Sequence, residues 1–372
     1  MRTATGAEYR GAHATPELLQ PETLVARRSS SLLPDVRCGH VESALAKLVL
    51  TAPFAQGVQV ERLFSSLSGP LDYVVAVPAR NEEGLLPRAL GAIERTMRDA
   101  SASGGVVVVV NNTTDGSFDI TARFAAERKL ALAAVQVTFA QTIRDAPHAR
   151  RLALDLGATL APEGVLMTSD ADSYVGPLWA RTFLASLAEG AALICEDVRL
   201  DETELANLPS NVRKVGDAER AYFGASELLW QQWTFGRGGT FAYRASGASM
   251  AVTTAAYNDI GGLPLPSSGE DAALCAAVLA TGHSAVQLRD LGTRTSARLE
   301  GRAAGGCGAA LSHRASCSNP ECDAALVPLV QLRARAKGFE AGLPPSGVSK
   351  PMRYLEVVRE LARARQLIGR AG

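Results

Sequence analysis

From Leu71 onward, short apolar runs alternate with stretches in which apolar residues recur every three or four positions. Tyr73–Val77, Val106–Val110, Ala131–Val137, Gly164–Met167 and Ala191–Cys195 are too short for buried helices and read as buried strands. Leu85–Met97 and Arg150–Leu160 carry apolar side chains at helical spacing and predict helices between the strands. This alternation predicts an α/β class, a mostly parallel sheet flanked by helices. Ligands of such sheets bind beyond the carboxyl ends of the strands, and Arg80, Asn112 and Asp170 would emerge there.

The pattern divides the chain into three regions. Residues 1–68 lack the alternation, carry Pro16, Pro21, Pro34 and Pro53, and form an expected N-terminal extension. It is partly helical, because Val41, Ala44, Leu45, Leu48 and Val49 share a helical face. Residues 69–306 form the α/β body, and 307–372 a mostly helical C-terminal region. From Pro351 the tail places Leu355, Val358, Leu361, Ala362 and Ile368 along one face, with Arg353, Arg359, Arg363 and Arg370 elsewhere. That is an amphipathic basic helix. Packing on the body or across a homodimer is the simpler reading, and peripheral contact with an anionic membrane is the alternative.

Composition narrows the class. A chain of 372 residues, 47% hydrophobic and 20% charged, can bury a sizeable core. Lys plus Arg and Asp plus Glu are equal at 38 each, so no global field attracts nucleic acid, and none is expected as a partner. The first thirty residues hold no continuous apolar run, and no stretch approaches the roughly 18–20 apolar residues that span a bilayer. The expected location is cytoplasmic, or peripheral at a membrane through the tail. Six cysteines make no disulfide framework at this length.

Candidate chemistry centres on Asp170-Ala171-Asp172, just after the apolar run Gly164–Met167. Alternate residues of an extended chain share a face, so both carboxylates can engage one Mn2+ or Mg2+ that also holds a diphosphate. A solvated turn produces the same triplet. No Gly-x-Gly-x-x-Gly follows the first strand and no P-loop signature occurs. The first strand runs instead into Val77-Pro78-Ala79-Arg80-Asn81-Glu82-Glu83. In order follow Val110-Asn111-Asn112-Thr113-Thr114-Asp115-Gly116-Ser117, Ala149-Arg150-Arg151, Ser169-Asp170-Ala171-Asp172, Gly247-Ala248-Ser249-Met250, Gly261-Gly262-Leu263-Pro264 and Gly269-Glu270-Asp271. From about Leu71 to Gly306 this ordered set resembles the family-2 glycosyltransferases, nucleotide-sugar enzymes of the GT-A fold, a Rossmann-like sheet flanked by helices.

The resemblance implies roles. Pro78, Arg80 and Glu82 match the loop that holds the base and ribose of the donor, and Asn112 and Asp115 stand where the family carries Asp-Asp or Asp-Asp-Gly-Ser. A UDP-sugar is the donor it favours, with Asn112 loosening that assignment. Arg150 matches an arginine facing the nucleotide. Asp170 would contact ribose or a metal-bound water, and Asp172 would ligate Mn2+ or Mg2+ between the phosphates. Of Glu270 and Asp271, the family's catalytic base is the aspartate; an acidic first helical turn explains the same pair structurally. Arg298 and Arg302 lie in a segment where cations could close over the diphosphate; a solvated basic face explains their spacing equally.

The implied activity is an inverting, metal-dependent, hexosyltransferase-like transfer of one sugar to a hydroxyl of a small or lipid-linked acceptor. A Gln-x-x-Arg-Trp box, which marks processive polymerising members, is absent. Competing readings are a non-catalytic nucleotide-sugar-binding or scaffold protein and a nucleotidyltransferase. Cys307, His313, Cys317 and Cys322 form a looser zinc candidate, their spacing being unlike a tight knuckle.

Overall fold

The computed structural model describes residues 39–55, 57–301, 305–341 and 350–369. The segment 1–38, Arg302 and Arg370 lie outside the described residues. Eight strands form the central sheet: β1 (Val58–Ser65), β2 (Tyr73–Ala79), β3 (Gly104–Asn111), β4 (Leu132–Phe139), β5 (Val165–Thr168), β7 (Leu193–Glu196), β9 (Met250–Thr253) and β10 (Ala285–Leu288). A second, three-stranded sheet is built from β6 (Ser173–Tyr174), β8 (Arg199–Leu200) and β11 (Arg294–Thr295). The central order is β1-β4-β3-β2-β5-β9-β7-β10. Pairings among β4, β3, β2 and β5 are parallel, as is β7 with β10, whereas β1 and β9 run antiparallel to their neighbours.

Val106 to Val110 of β3 are all fully buried, which requires helices on both faces of the sheet. On one side lie α1 (Gly39–Leu48), α4 (Ala146–Leu160), α8 (Thr254–Asp259) and α9 (Glu270–Ala280), packing Leu45, Leu152, Tyr257 and Leu274 against Val74 and Val107. On the other lie α2 (Leu86–Arg98), α3 (Ser117–Arg128) and α5 (Trp179–Ala188), which bring Leu90, Phe118 and Trp179 to Val75 and Val108. Asp145 starts α4 by accepting from the His148 N–H at 2.9 Å, and Pro147 follows in the first turn, where a missing N–H costs nothing.

After β8 come the short α6 (Glu202–Ala206) and the long α7 (Ser210–Trp233); α10 (Cys307–Ser316), α11 (Leu329–Glu340) and α12 (Tyr354–Gly369) pack on α7. Tyr222, Leu229, Leu332 and Val357 share this third core. The buried side of α12 is Val357, Glu360, Leu361 and Ala364, so Leu355 and Val358, expected beside Leu361, face outward at 46% and 40% exposure. Helical spacing found the helix and misplaced its inner face, because Glu360 is tied to the Leu329 N–H at 2.8 Å and turns a polar position inward. Each large side chain buried there stabilises by about 2 kcal/mol. Within the region read as an extension, α1 packs on α4 and β1 forms an edge of the sheet. No helix of the described residues is long and apolar enough to cross a membrane.

Candidate active site

The carboxyl ends of β2 and β3 open into loops that are bonded into one unit. Asn81 and Asn112 both adopt left-handed backbone (φ 54° and 45°), which asparagine tolerates better than most side chains. Asn81 Oδ1 accepts from the Thr114 N–H at 2.8 Å, and the Thr113 hydroxyl lies 2.9 Å from Asn81 Oδ1 and 2.8 Å from Asp115 Oδ1. Asp115 also accepts from the Glu83 N–H at 3.1 Å and the Ser117 hydroxyl at 2.6 Å. Burial works to raise the Asp115 pKa, but these bonds from Ser117, Glu83 and Thr113 outweigh it and hold the group below its ordinary value. Asn112 is turned to the end of β4: its Nδ2 donates to the Phe139 carbonyl at 3.0 Å, and the Phe139 N–H donates to its Oδ1 at 3.1 Å. Pro78 and Arg80 are half-buried at the same edge.

Two arginines organise the carboxylates beside these loops. Arg150 of α4, only 5% exposed, donates to Asp170 Oδ1 at 2.7 Å, to the Gly247 carbonyl at 3.0 Å and to Glu270 Oε1 at 3.2 Å. Burial would lower its pKa, yet the charges of Asp170, Glu270 and Asp271 hold it protonated. Arg298, which follows β11, forms a two-toothed pair with Glu82 at 2.5 and 3.0 Å and reaches Asp172 Oδ2 at 2.7 Å. The small sheet makes this possible, since pairing of β6 with β11 sets Asp172 beside the Thr295–Arg298 segment. Burial, the charge of Asp170 and that of Glu82 push the Asp172 carboxyl up to about 6, against the pull of Arg298. The two guanidinium groups of Arg150 and Arg298 are bonded to four carboxylates, Asp170, Glu270, Glu82 and Asp172, so negative charge is in excess here.

Asp271 occupies the first turn of α9, which starts after Gly269 at φ 76°. Its Oδ2 accepts from the Gly247 N–H at 3.1 Å and its Oδ1 from the Ala272 N–H at 2.7 Å. Burial, followed by the Glu270 charge, raises its pKa against these bonds and Arg150. The Gly247 peptide thus holds the candidate base by its N–H and Arg150 by its carbonyl. A Cβ at Gly247 would lie 2.3 Å from the Arg150 guanidinium. Gly247→Ala should therefore displace Arg150 and lower stability by about 1–3 kcal/mol. Titration calorimetry should show donor affinity falling at least about tenfold; unchanged affinity would sever Arg150 from the donor side.

Among the described residues, no three His, Cys, Asp or Glu side chains converge as a preformed metal cage. Cys307, His313, Cys317 and Cys322 are not brought together as one. Mg2+ and Mn2+ that arrive with phosphates need only one or two protein carboxylates. Asp172, with Asp170 two residues away and charge in excess, fits such an ion once Arg298 yields Oδ2. The sequence motifs did not reveal the Arg298–Glu82 pair, the Gly247 hub or the Thr295 hydroxyl 3.4 Å from Asp172. None has a local signature, because each depends on a crossover between distant segments.

No family model matches the chain, and no curated protein matches it. Among solved structures it is similar to a mannosyltransferase from Pyrobaculum calidifontis in complex with GDP-Man and Mn2+, at 16% identity over 90% of this chain and 85% of that one, with a TM-score of 0.45. It is also similar to S. aureus TarS 1-349 in complex with UDP-GlcNAc, at 18% identity over 63% and 60% of the two chains, TM-score 0.43. A third is glucosyl-3-phosphoglycerate synthase from Mycobacterium tuberculosis with Mn2+, UDP-glucose and phosphoglyceric acid, at 14% identity over 85% and 88%, TM-score 0.39.

Proposed function

We propose that the chain is an inverting, divalent-metal-dependent glycosyltransferase that moves one sugar from a nucleoside-diphosphate sugar to a hydroxyl acceptor. The observation that carries this reading is Arg150, which joins Asp170 of the Asp-x-Asp segment to the Glu270-Asp271 turn in one buried network. A donor-holding station and a candidate base thus belong to one site. The acceptor hydroxyl would lose its proton to Asp271 as its oxygen forms a bond to C1, while the bond from C1 to the diphosphate oxygen breaks on the opposite side. The raised pKa of Asp271 suits it to take that proton. Asp172 and Asp170 would hold Mn2+ or Mg2+, whose charge stabilises the departing diphosphate.

Arg298, released from Asp172 as the cation binds, would keep a guanidinium beside the phosphates. Pro78, Arg80, Glu82 and Asp115 shape the edge where base and ribose would lie. Both polar ends of the Asn112 amide are engaged by Phe139, which favours a tether for the loops over direct reading of a uracil edge. Glu270, bonded to Arg150, is better suited to positioning than to proton transfer.

A thermal-shift panel of nucleotide sugars tests the donor half. A ligand at a hundred times its Kd stabilises by about 2.7 kcal/mol. That shift should appear with a UDP-sugar in Mn2+ and shrink in EDTA, and Asp172→Ala should remove the cation-dependent part. Equal shifts in Mn2+ and EDTA would remove the metal from the reading. Turnover should release free nucleoside diphosphate; pyrophosphate would mean nucleotidyl transfer instead.

A further inference from the structure

The outward face of α12 is an apolar stripe between arginines. Leu355, Val358 and Ala362 are exposed and lie at helical spacing of three and four residues. Arg359 and Arg363 flank them on one side and Arg365 on the other, and the Arg363 side chain is 69% exposed. Beside the stripe runs a groove of about 500 Å³, lined by Pro328, Leu329, Val330, Leu367, Arg363 and Glu360, between the start of α11 and α12. Val330 on its far wall is 76% exposed. The described residues from Leu329 to Gly369 carry eight Lys or Arg against three glutamates, whereas the whole chain is neutral. One of those three, Glu360, is engaged by the Leu329 N–H and Arg363.

We infer that this face of α12, with the adjoining groove, seats on the surface of a bilayer containing anionic phospholipid. An apolar stripe bordered by arginines is the arrangement that places aliphatic side chains at the acyl boundary and guanidinium groups at the phosphates. Arginine suits the second task because its fork bonds two phosphate oxygens at once. The bond from the Leu329 N–H to Glu360 fixes the rotation of α12 and so holds Leu355 and Val358 outward, where they form a standing apolar face. No residue of the face belongs to the proposed active site, so the inference does not depend on the transfer chemistry.

Co-sedimentation of the full chain tests it, with phosphatidylcholine vesicles against vesicles carrying about one part in three phosphatidylglycerol. The protein should pellet with the anionic vesicles, remain in solution with the neutral ones, and dissociate at high salt. Each basic group near such a surface contributes about fivefold to binding, so Arg359→Gln, Arg363→Gln and Arg365→Gln together should weaken it on the order of a hundredfold. Leu355→Ser with Val358→Ser should weaken it independently; because these side chains are exposed, the melting point should hold. Failure to pellet with anionic vesicles, or equal binding to both kinds, would overturn the inference. So would a concentration-dependent dimer in light scattering that the Leu355/Val358 pair abolishes, which would give the face to a second copy of the chain.

Discussion

Asp271→Asn should lower sugar transfer by roughly two to four powers of ten while leaving metal-dependent donor binding close to that of the parent. Asparagine keeps the shape of the side chain, and its carbonyl oxygen can still accept from the Gly247 N–H. It cannot take the acceptor proton. In the parent, burial and then the Glu270 charge raise the Asp271 pKa, so the acid limb of kcat/KM should fall above the ordinary carboxylate range. Stability carries the same sign. A carboxyl whose folded pKa exceeds its unfolded value contributes stability that is fully present below the unfolded pKa and is lost as pH rises through the folded one. At neutral pH Asp271 is thus a charge that the fold holds at a cost. Asp271→Asn removes that cost but gives up the bond from the Ala272 N–H, so it should melt close to the parent at pH 7 even as it loses transfer. Transfer within a few-fold of the parent, or a product that retains the donor's anomeric configuration, would sink the role.

The stability cost of Asp271 has no signature in the sequence, whereas much of the fold does. The valine-rich runs of β2 and β3 announce buried strands, because valine is β-branched and the runs are too short for buried helices, and such runs suit a sheet covered on both faces. The Asp-x-Asp segment is marked by its place just after an apolar run, and the Glu270-Asp271 turn by the family resemblance in motif order. Other parts were illegible for physical reasons. β1 mixes Gln59, Glu61 and Arg62 with apolar residues and is bulged between Val60 and Arg62, so its alternation is broken where pairing with β4 demands it. Asn112 has the composition of a ligand-binding residue, and only the approach of Phe139 shows that its amide is engaged by backbone. The rotation of α12 could not be read from apolar spacing, because a buried glutamate, Glu360, helps to set it. Arg298 lies 126 residues from Asp172, and no local pattern registers a pair that long-range strand pairing creates.

Glu196→Ala should destabilise the protein by on the order of 3–5 kcal/mol, the larger of the stability effects expected here, and should weaken donor binding in whatever remains folded. Glu196 ends β7 with no exposed surface. Its Oε2 accepts from the Ser249 hydroxyl at 2.6 Å and the Thr293 hydroxyl at 2.5 Å, and its Oε1 from the Thr293 N–H at 3.0 Å. Ser249 in turn accepts from the Trp179 indole N–H at 2.6 Å. Burial raises the Glu196 pKa, and the bonds from Ser249 and Thr293 work against that rise. Alanine would leave three donors without an acceptor in a site that water does not reach, at about 1–3 kcal/mol each, less whatever relaxation recovers. The functional consequence follows from the chain order. Thr293 enters β11, Thr295 meets Asp172, and Arg298 spans Asp172 and Glu82. Loosening Thr293 therefore loosens the segment that sets Arg298. Glu196→Gln keeps an acceptor oxygen and should recover most of the melting point. If donor affinity recovers with it, Glu196 acts on the site through the Thr293–Arg298 segment. An alanine variant that melts with the parent would show that the buried network holds neither the fold nor the arginine.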